Sequence, residues 1–177
     1  MNYGEVKDYD IANGPGVRVS IFVSGCTHHC KGCFNEPTWD FNYGKVWTQE
    51  TEEQVLEKLK PDYIMGLTVL GGEPFEKSNQ EVLAPFLKRV RKTYPKKTIW
   101  CFTGYVFESD IMGTMIPSWP HTEEMLNQID VLVDGPFVED LKDISLQFRG
   151  SSNQRLIDLA KTREAGEVVL WSEPPIL

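Results

Sequence analysis

The chain has 177 residues, a size at which one domain buries roughly 70% of its unfolded surface, and we predict a single domain over residues 1–177. Its formal net charge of −8 argues against a nucleic-acid backbone as partner. No apolar segment is long enough to cross a bilayer, and the N-terminus lacks the basic-then-apolar layout of a signal peptide. We therefore expect a cytoplasmic protein without a nucleic-acid or membrane partner.

The first half of the chain is predicted to form two strand–helix units. β-branched and aromatic residues indicate the strands, and apolar stripes at helical spacing indicate the helices. In chain order the elements are a strand at Val17–Val23, a helix over Thr48–Lys60, a strand at Gly66–Gly72 and a helix from Ser78 to about Tyr94. Capping boxes are predicted near the start of each helix, formed by Thr51 with Gln54 and by Ser78 with Glu81.

The second half continues the alternation with shorter elements. They are a strand at Thr98–Phe102, a loop over Glu108–His121, a helix over Thr122–Gln128, a strand at Asp130–Gly135 and a final strand at Glu167–Trp171. Alternating strands and helices predict an α/β fold with a parallel sheet and right-handed crossovers. A closed eight-stranded α/β barrel takes about 250 residues. We therefore expect a partial, open parallel β/α barrel, or else a curved α/β sheet.

Unusual residues follow the predicted strands at their carboxyl ends. These segments are the cysteine-rich stretch after the first strand, Gly71-Gly72-Glu73-Pro74, Thr103-Gly104 and Asp134-Gly135. Active sites of parallel α/β folds collect at this edge of the sheet. The pattern therefore predicts that the four segments meet in one site.

Three of the four cysteines, Cys26, Cys30 and Cys33, lie within eight residues, in "SGCTHHCKGCFN". In a reducing compartment such thiols are metal ligands or catalytic groups more often than disulfides. Thiolates bind zinc, copper(I) or iron–sulfur clusters. A [4Fe–4S] cluster ordinarily takes four cysteines, so three would leave one iron open to a small molecule. The isolated Cys101 is expected to be a buried strand residue.

Structural zinc is the alternative, with His28 or His29 as the fourth ligand. Zinc motifs usually arrange their ligands as two separated pairs. Here both histidines lie between the first two cysteines, where closing one tetrahedron would strain the loop. The spacing favours a cluster over zinc.

The motif "CTHHCKGC" after one strand, with "GGEP" at the end of the next, resembles the radical S-adenosylmethionine enzymes. The resemblance implies that the three cysteines hold a [4Fe–4S] cluster whose fourth iron binds S-adenosylmethionine. It implies further that Gly71, Gly72 and Glu73 contact the methionyl end of that molecule. Thr103 and Asp134, at the ends of the next two strands, are further candidates for contacts with it, with turn and cap roles as the alternative.

A narrower resemblance covers most of the chain. Five segments resemble the family of activating proteins of anaerobic ribonucleoside-triphosphate reductase. They are Asn13–Trp39, "GLTVLGGEP", "WCFTGY", "DVLVDGPF" and Phe148–Asp158. The family usually has a glycine before the third cysteine, as Gly32 is here. The resemblance implies an enzyme that takes an electron from a flavodoxin-like donor and cleaves S-adenosylmethionine to a 5′-deoxyadenosyl radical. That radical removes a hydrogen from a glycine of the reductase's large subunit.

Two other readings stay open at this point. A radical enzyme of the same chemistry could act on another glycyl-radical enzyme or on a small molecule. A zinc-stapled interaction module without catalysis is a different class.

Among the arginines, Arg18 lies within a strand and is expected to form an ion pair. Arg149 and Arg155 flank a Ser-Ser-Asn-Gln turn and are expected to belong to a capped loop, with partner docking as the alternative.

Overall fold

A computed structural model of the chain describes residues 1–173, and its frame is one mixed β-sheet. The strands are β1 (Asn2–Asp10), β2 (Val17–Val23), β3 (Lys45–Val46), β4 (Ile64–Gly71), β5 (Thr98–Phe102), β6 (Val131–Asp134) and β7 (Arg155–Asp158). They form a seven-stranded sheet in the order β3-β1-β2-β4-β5-β6-β7. The central strands β2, β4, β5 and β6 are parallel, and β1, β3 and β7 pair antiparallel at the edges. The α/β class is confirmed.

Helices lie in the connections between the strands and after the last strand. They are α1 (Gln49–Leu59), α2 (Lys77–Thr93), α3 (Ile116–Ser118), α4 (Thr122–Asn127) and α5 (Leu159–Ala165). A π-helix (Phe107–Met115) precedes α3, and 3-10 turns lie at Glu36–Trp39 and Glu139–Leu141. None of the helices in the described residues has the length and apolar character needed to span a membrane.

The two faces of the sheet have different surroundings, and β5 illustrates this. Ile99 and Cys101 point into the main core, which the helices share with the sheet. Trp100 points to the opposite face, where it packs edge-on against Phe148 and Trp171. Strand alternation therefore fills one face with helices and leaves the other to a smaller apolar cluster. The burial of Cys101 is as predicted.

The four central strands were predicted to within two residues, but the edges of the sheet were not. β1 was missed because its burial alternates weakly and its sequence "NYGEVKDYD" is rich in charges, as an edge strand allows. β7 was missed because it has only four residues. The predicted final strand at Glu167–Trp171 contributes an isolated antiparallel bridge between Leu170 and Ile157.

The loop predicted over Glu108–His121 is wrong, because most of this segment is helical. Phe107, Ile111 and Met115 are buried on one side of the π-helix at four-residue spacing. Gly113 and the two nearby prolines concealed that pattern in the sequence. The segment packs into the main core and forms the first part of the connection from β5 to β6.

Both predicted capping boxes are also wrong. In α1 the capping box lies three residues earlier, between Thr48 and Thr51, whose side chains each accept from the other's backbone amide. In α2 the residue before the helix is Glu76, and no side-chain cap hydrogen bond forms. The start of α2 is occupied instead by contacts with the cysteine loop, described below.

Arg18 differs from its prediction as well. It is fully buried, and its guanidinium donates only to neutral oxygens within the described residues: Thr68 Oγ1, Thr98 Oγ1 and the carbonyls of Pro15, Leu67 and Thr98. It also lies 5.8 Å from the Trp100 ring. Five neutral acceptors take the place of the carboxylate that an ion pair would need, and their hydrogen bonds join β2, β4 and β5 through this arginine.

Candidate functional site

A cavity of about 510 Å³ lies at the carboxyl edge of the parallel strands and extends along the helix-free face of the sheet. Its walls include the three clustered cysteines, Gly71-Gly72-Glu73, Thr103-Gly104 and Gly135, together with Phe22, Leu70 and Phe102 from the strands. The prediction that the marked strand ends meet in one site is confirmed for these residues.

The glycine pair lets the cysteine loop cross closely over the end of β4. The Gly72 amide donates to the Val23 carbonyl, and the Glu73 amide donates to the Gly25 carbonyl, both at 2.7 Å. A Cβ on Gly72 would lie 2.7 Å from the Gly25 oxygen, and one on Gly71, whose φ is +111°, would lie 2.6 Å from the Val23 nitrogen. Side chains larger than hydrogen would therefore push the loop away from the sheet.

Two buried carboxylates fix the cysteine loop to the β4–α2 connection. Glu76 Oε1 accepts from the Thr27 amide at 2.9 Å and from its hydroxyl at 2.7 Å. Glu73 Oε1 accepts from His28 Nε2 at 2.7 Å. Because Thr27 and His28 follow Cys26 directly, these bonds set the position of the first half of the cysteine loop.

Glu73 is held by further donors and is 1% exposed. Its carboxylate accepts from the Phe75 amide, the Thr103 hydroxyl and the Gly104 amide, each within 3.0 Å. Thr103 thus supports Glu73 in this structure. With His28, four groups donate to one carboxylate, which fixes its orientation.

His28 is hydrogen-bonded to this carboxylate, and the two form an ion pair when the imidazole is protonated. Burial alone would lower the pKa of His28, but the hydrogen bond and the charges of Glu73 and Glu76 outweigh it, so the pKa lies above its ordinary value. The ring also packs edge-on against Tyr105 at 4.3 Å. Both contacts fix the imidazole on the loop.

Backbone amides lie near the cysteine sulfurs. The Asn35 amide donates to the sulfur of Cys33 at 3.4 Å. The amides of His28 and His29 act to lower the pKa of Cys26, and that of Phe137 acts to lower the pKa of Cys30, but burial outweighs them at both thiols. Burial raises the pKa of Cys26 to about 11, so metal binding there must displace a proton. Amide donors to thiolate sulfur stabilise metal thiolates and tune the potential of iron–sulfur clusters.

The histidines of the loop have other partners than a metal. His28 Nε2 is bonded to Glu73, and the His29 ring stacks on Trp39 with centroids 4.4 Å apart. Within residues 1–173 no three His, Cys, Asp or Glu side chains are grouped around a position for one metal ion. The geometry therefore gives neither histidine the place of a zinc ligand.

Asp134 has a structural environment. Its carboxylate accepts from Arg155 Nε at 3.0 Å, from Arg155 Nη2 at 2.6 Å and from the Phe107 amide at 2.9 Å. It is 1% exposed, and the described walls of the cavity do not include it. Asp134 and Arg155 thus join β6, β7 and the π-helix, which favours a supporting role over a ligand contact.

Two cavity residues were not recognised from the sequence as site residues. Trp39 Nε1 and Arg149 Nε are buried, and neither has a hydrogen-bond partner among residues 1–173. Both are donors, and both side chains line the cavity. A ligand that offers acceptors would satisfy them. No local sequence signal distinguishes them, because the orphaned state depends on what the fold brings near.

Comparison with known proteins gives the class of the chain. The sequence model of the family "4Fe-4S single cluster domain" matches residues 12–157, which is most of the chain. The chain therefore carries an iron–sulfur domain of the single-cluster type.

Curated relatives define a more specific family than the iron–sulfur domain does. Proteins named anaerobic ribonucleoside-triphosphate reductase-activating protein from Pasteurella multocida and Escherichia coli K12 are 43% and 41% identical, over 87% of this chain and 95% and 96% of their own lengths. The protein of that name from Enterobacteria phage T4 is 40% identical over 88% of this chain and 93% of its own. The chain belongs to the family of anaerobic ribonucleoside-triphosphate reductase-activating proteins.

Proposed function

We propose that this protein is an activating enzyme that uses a [4Fe–4S] cluster and S-adenosylmethionine to install a glycyl radical on the large subunit of anaerobic ribonucleoside-triphosphate reductase. The observation that carries the proposal is the meeting of three thiols with the Gly71–Gly72 strand end in one cavity. Membership of an iron–sulfur family named for this activation supports it.

When bound, the two cofactors would supply one electron and a cleavable sulfur–C5′ bond, yielding methionine and a 5′-deoxyadenosyl radical that takes a hydrogen atom from the substrate glycine. The chain's own residues bind and orient. Cys26, Cys30 and Cys33 would hold the cluster, and the Asn35 amide donates to the sulfur of Cys33.

The methionyl amino group would be received by the backbone at Gly71 and Gly72. The Glu73 carboxylate is already occupied by four donors, so it acts by holding the cysteine loop in position. Thr103 contributes through its bonds to Glu73, and Asp134 through the β6–β7–π-helix junction. The two orphaned donors, Trp39 Nε1 and Arg149 Nε, support a ligand rich in acceptors in this cavity.

The fold suits a protein substrate. We propose a single domain in which the sheet is a partial barrel of the radical S-adenosylmethionine type. The cavity on the helix-free face supports this, because a polypeptide loop can reach the site from that side. The clustered free thiols favour a reducing compartment, for which we propose the cytoplasm. We also propose a flavodoxin-like protein as the electron donor.

The test mixes the anoxic, reduced protein with S-adenosylmethionine and the large reductase subunit, and records the electron paramagnetic resonance spectrum. We expect a glycyl doublet that requires all three components. If S-adenosylmethionine is cleaved without a doublet, the substrate is a different glycyl-radical enzyme or a small molecule. A colourless protein that holds zinc and cleaves nothing would reject the enzyme altogether.

A further inference from the structure

The connection from β6 to β7, residues 135–154, forms one wall of the cavity and holds Arg149 between two packed neighbours. On one side Phe148 packs edge-on against Trp100, with ring centroids 5.4 Å apart. On the other side Gly150 lies against the Phe137 ring, which an added Cβ would approach to 3.1 Å. The Phe137 ring in turn packs against the ring of Phe34, the residue after Cys33, with centroids 5.4 Å apart. The backbone of Arg149 is therefore fixed beside the cysteine loop.

The guanidinium of Arg149 lacks the partners that Arg18 and Arg155 have. Its Nε is buried and has no partner among residues 1–173, and its Nη1 reaches the Gln147 carbonyl only at 3.3 Å. By contrast, Arg18 donates to five oxygens, and Arg155 pairs with Asp134 and Glu108. A buried donor without an acceptor is costly, so this arrangement indicates a partner supplied from outside the chain.

The partner must offer an acceptor that the described cavity walls do not provide, and the charges on those walls favour an anion. Glu73 is the one carboxylate on the described walls, and its oxygens already accept from four groups. Lys7 adds a second cation to the walls, 5.2 Å above the Phe22 ring. A cavity with two cations and a carboxylate whose oxygens are already hydrogen-bonded is suited to a ligand with a negative group, even though the chain as a whole is acidic.

We propose that Arg149 binds the carboxylate of S-adenosylmethionine; this inference rests on the function proposed above and adds a residue to it. The carboxylate is the only anionic group of that molecule, since its sulfonium and amino groups are cationic and its adenosine is neutral. A planar guanidinium matches a carboxylate in geometry and charge. Gly71–Gly72 and Arg149 would then bind opposite charges of the amino-acid end and fix its orientation in the cavity.

The test measures binding rather than turnover. Anoxic, cluster-loaded Arg149→Gln and the unmodified protein are titrated with S-adenosylmethionine and with its decarboxylated analogue by equilibrium dialysis. We expect the variant to bind S-adenosylmethionine about 10- to 100-fold more weakly, as for loss of a hydrogen-bonded charge pair, and to bind the analogue as the unmodified protein does. Lys142→Gln, at an exposed cation of the same connection outside the cavity walls, should bind both ligands normally.

Each other result rejects the inference in a recognisable way. Equal S-adenosylmethionine binding by Arg149→Gln and the unmodified protein overturns the inference and leaves the proposed function intact. If that variant also needs more reductase for radical formation, the inference is still overturned, because the anion that Arg149 binds would then belong to the reductase. Equal weakening for both ligands, or a lower iron content, would mean a structural role. If the unmodified protein binds no S-adenosylmethionine, the proposed function itself is wrong.

Discussion

The four cysteines differ in surroundings, and this difference assigns their roles. Cys26, Cys30 and Cys33 line the cavity, and the Asn35 amide donates to the sulfur of Cys33. Cys101 is fully buried in the core on the helix side of the sheet, and burial raises its pKa well above the ordinary value. Only the first three can therefore reach a ligand in the cavity.

Replacement of any one of the three clustered cysteines by Ala should abolish stable cluster binding, because two thiolates cannot hold the cluster on this loop. The measurement is iron content and absorbance near 400 nm (an approximate position for iron–sulfur charge transfer) after anoxic reconstitution. Cys101→Ala is the control and should keep both. A Cys30→Ala protein with full iron and colour would contradict the ligand assignment.

At the scale of single residues, the sequence spacing of the motifs identified site residues, but it did not identify which side chains form hydrogen bonds with each other. The cysteines and the Gly-Gly-Glu segment could be found because their neighbours in sequence are also their neighbours in the site. The roles of Glu76, Trp39 and Arg149 could not, because their partners or the lack of them depend on contacts across the fold. Arg18 was misjudged for the same reason.

Among the elements, the β4–α2 connection supports the cysteine loop most directly. Glu76 accepts from both the amide and the hydroxyl of Thr27. We expect Glu76→Ala to lose its cluster several-fold faster to an iron chelator, because two charge-assisted bonds that order the loop are removed. The rate of absorbance loss measures this. Glu81→Ala, at an exposed carboxylate of the same helix, should match the unmodified protein; equal rates for all three would show that the loop needs no such support.

Two assignments of the N-terminal cap of α1 can be distinguished by mutation. The structure puts the reciprocal bonds between Thr48 and Thr51, whereas the sequence pattern suggested Thr51 with Gln54. We expect Thr48→Ala to lower the free energy of unfolding by about 1 kcal/mol. Gln54→Ala, at an exposed site, should change it little. Urea denaturation measures both, and the opposite ranking would restore the pattern-based cap.

The π-helix is tied to the sheet by Arg155, which makes a pH dependence predictable. The hydrogen bond from Arg155 lowers the pKa of Glu108 below its ordinary 4.5. A lowered folded-state pKa stabilises the protein fully above the unfolded value, and this stabilisation is lost as the pH falls through the folded value. The difference in unfolding free energy between the unmodified protein and Glu108→Gln should therefore be constant above pH 4.5 and shrink below it.

The same urea titrations carry the control for this prediction. Glu123→Gln removes an exposed carboxylate at the start of α4. Its difference from the unmodified protein should not follow the acid profile of Glu108→Gln. A Glu108→Gln difference that stays constant through the whole acid range would contradict the ion pair.

At the scale of the whole molecule, the alternation of strands and helices predicted the parallel centre of the sheet and the edge at which the site lies. Strands β2, β4, β5 and β6 carry that information in apolar, β-branched runs. The antiparallel edges were not predictable, because short or half-exposed strands have no such pattern. The open cavity on the helix-free face follows from the three-dimensional arrangement alone.

The account depends on a cluster that the protein holds with three thiolates, leaving one iron for S-adenosylmethionine. The direct measurement is electron paramagnetic resonance of the anoxic, reduced protein before and after S-adenosylmethionine is added. We predict a signal of a reduced [4Fe–4S] cluster whose line shape changes on addition, and does not change with a compound that lacks the amino-acid end. A cluster spectrum that stays the same with S-adenosylmethionine present would contradict the account.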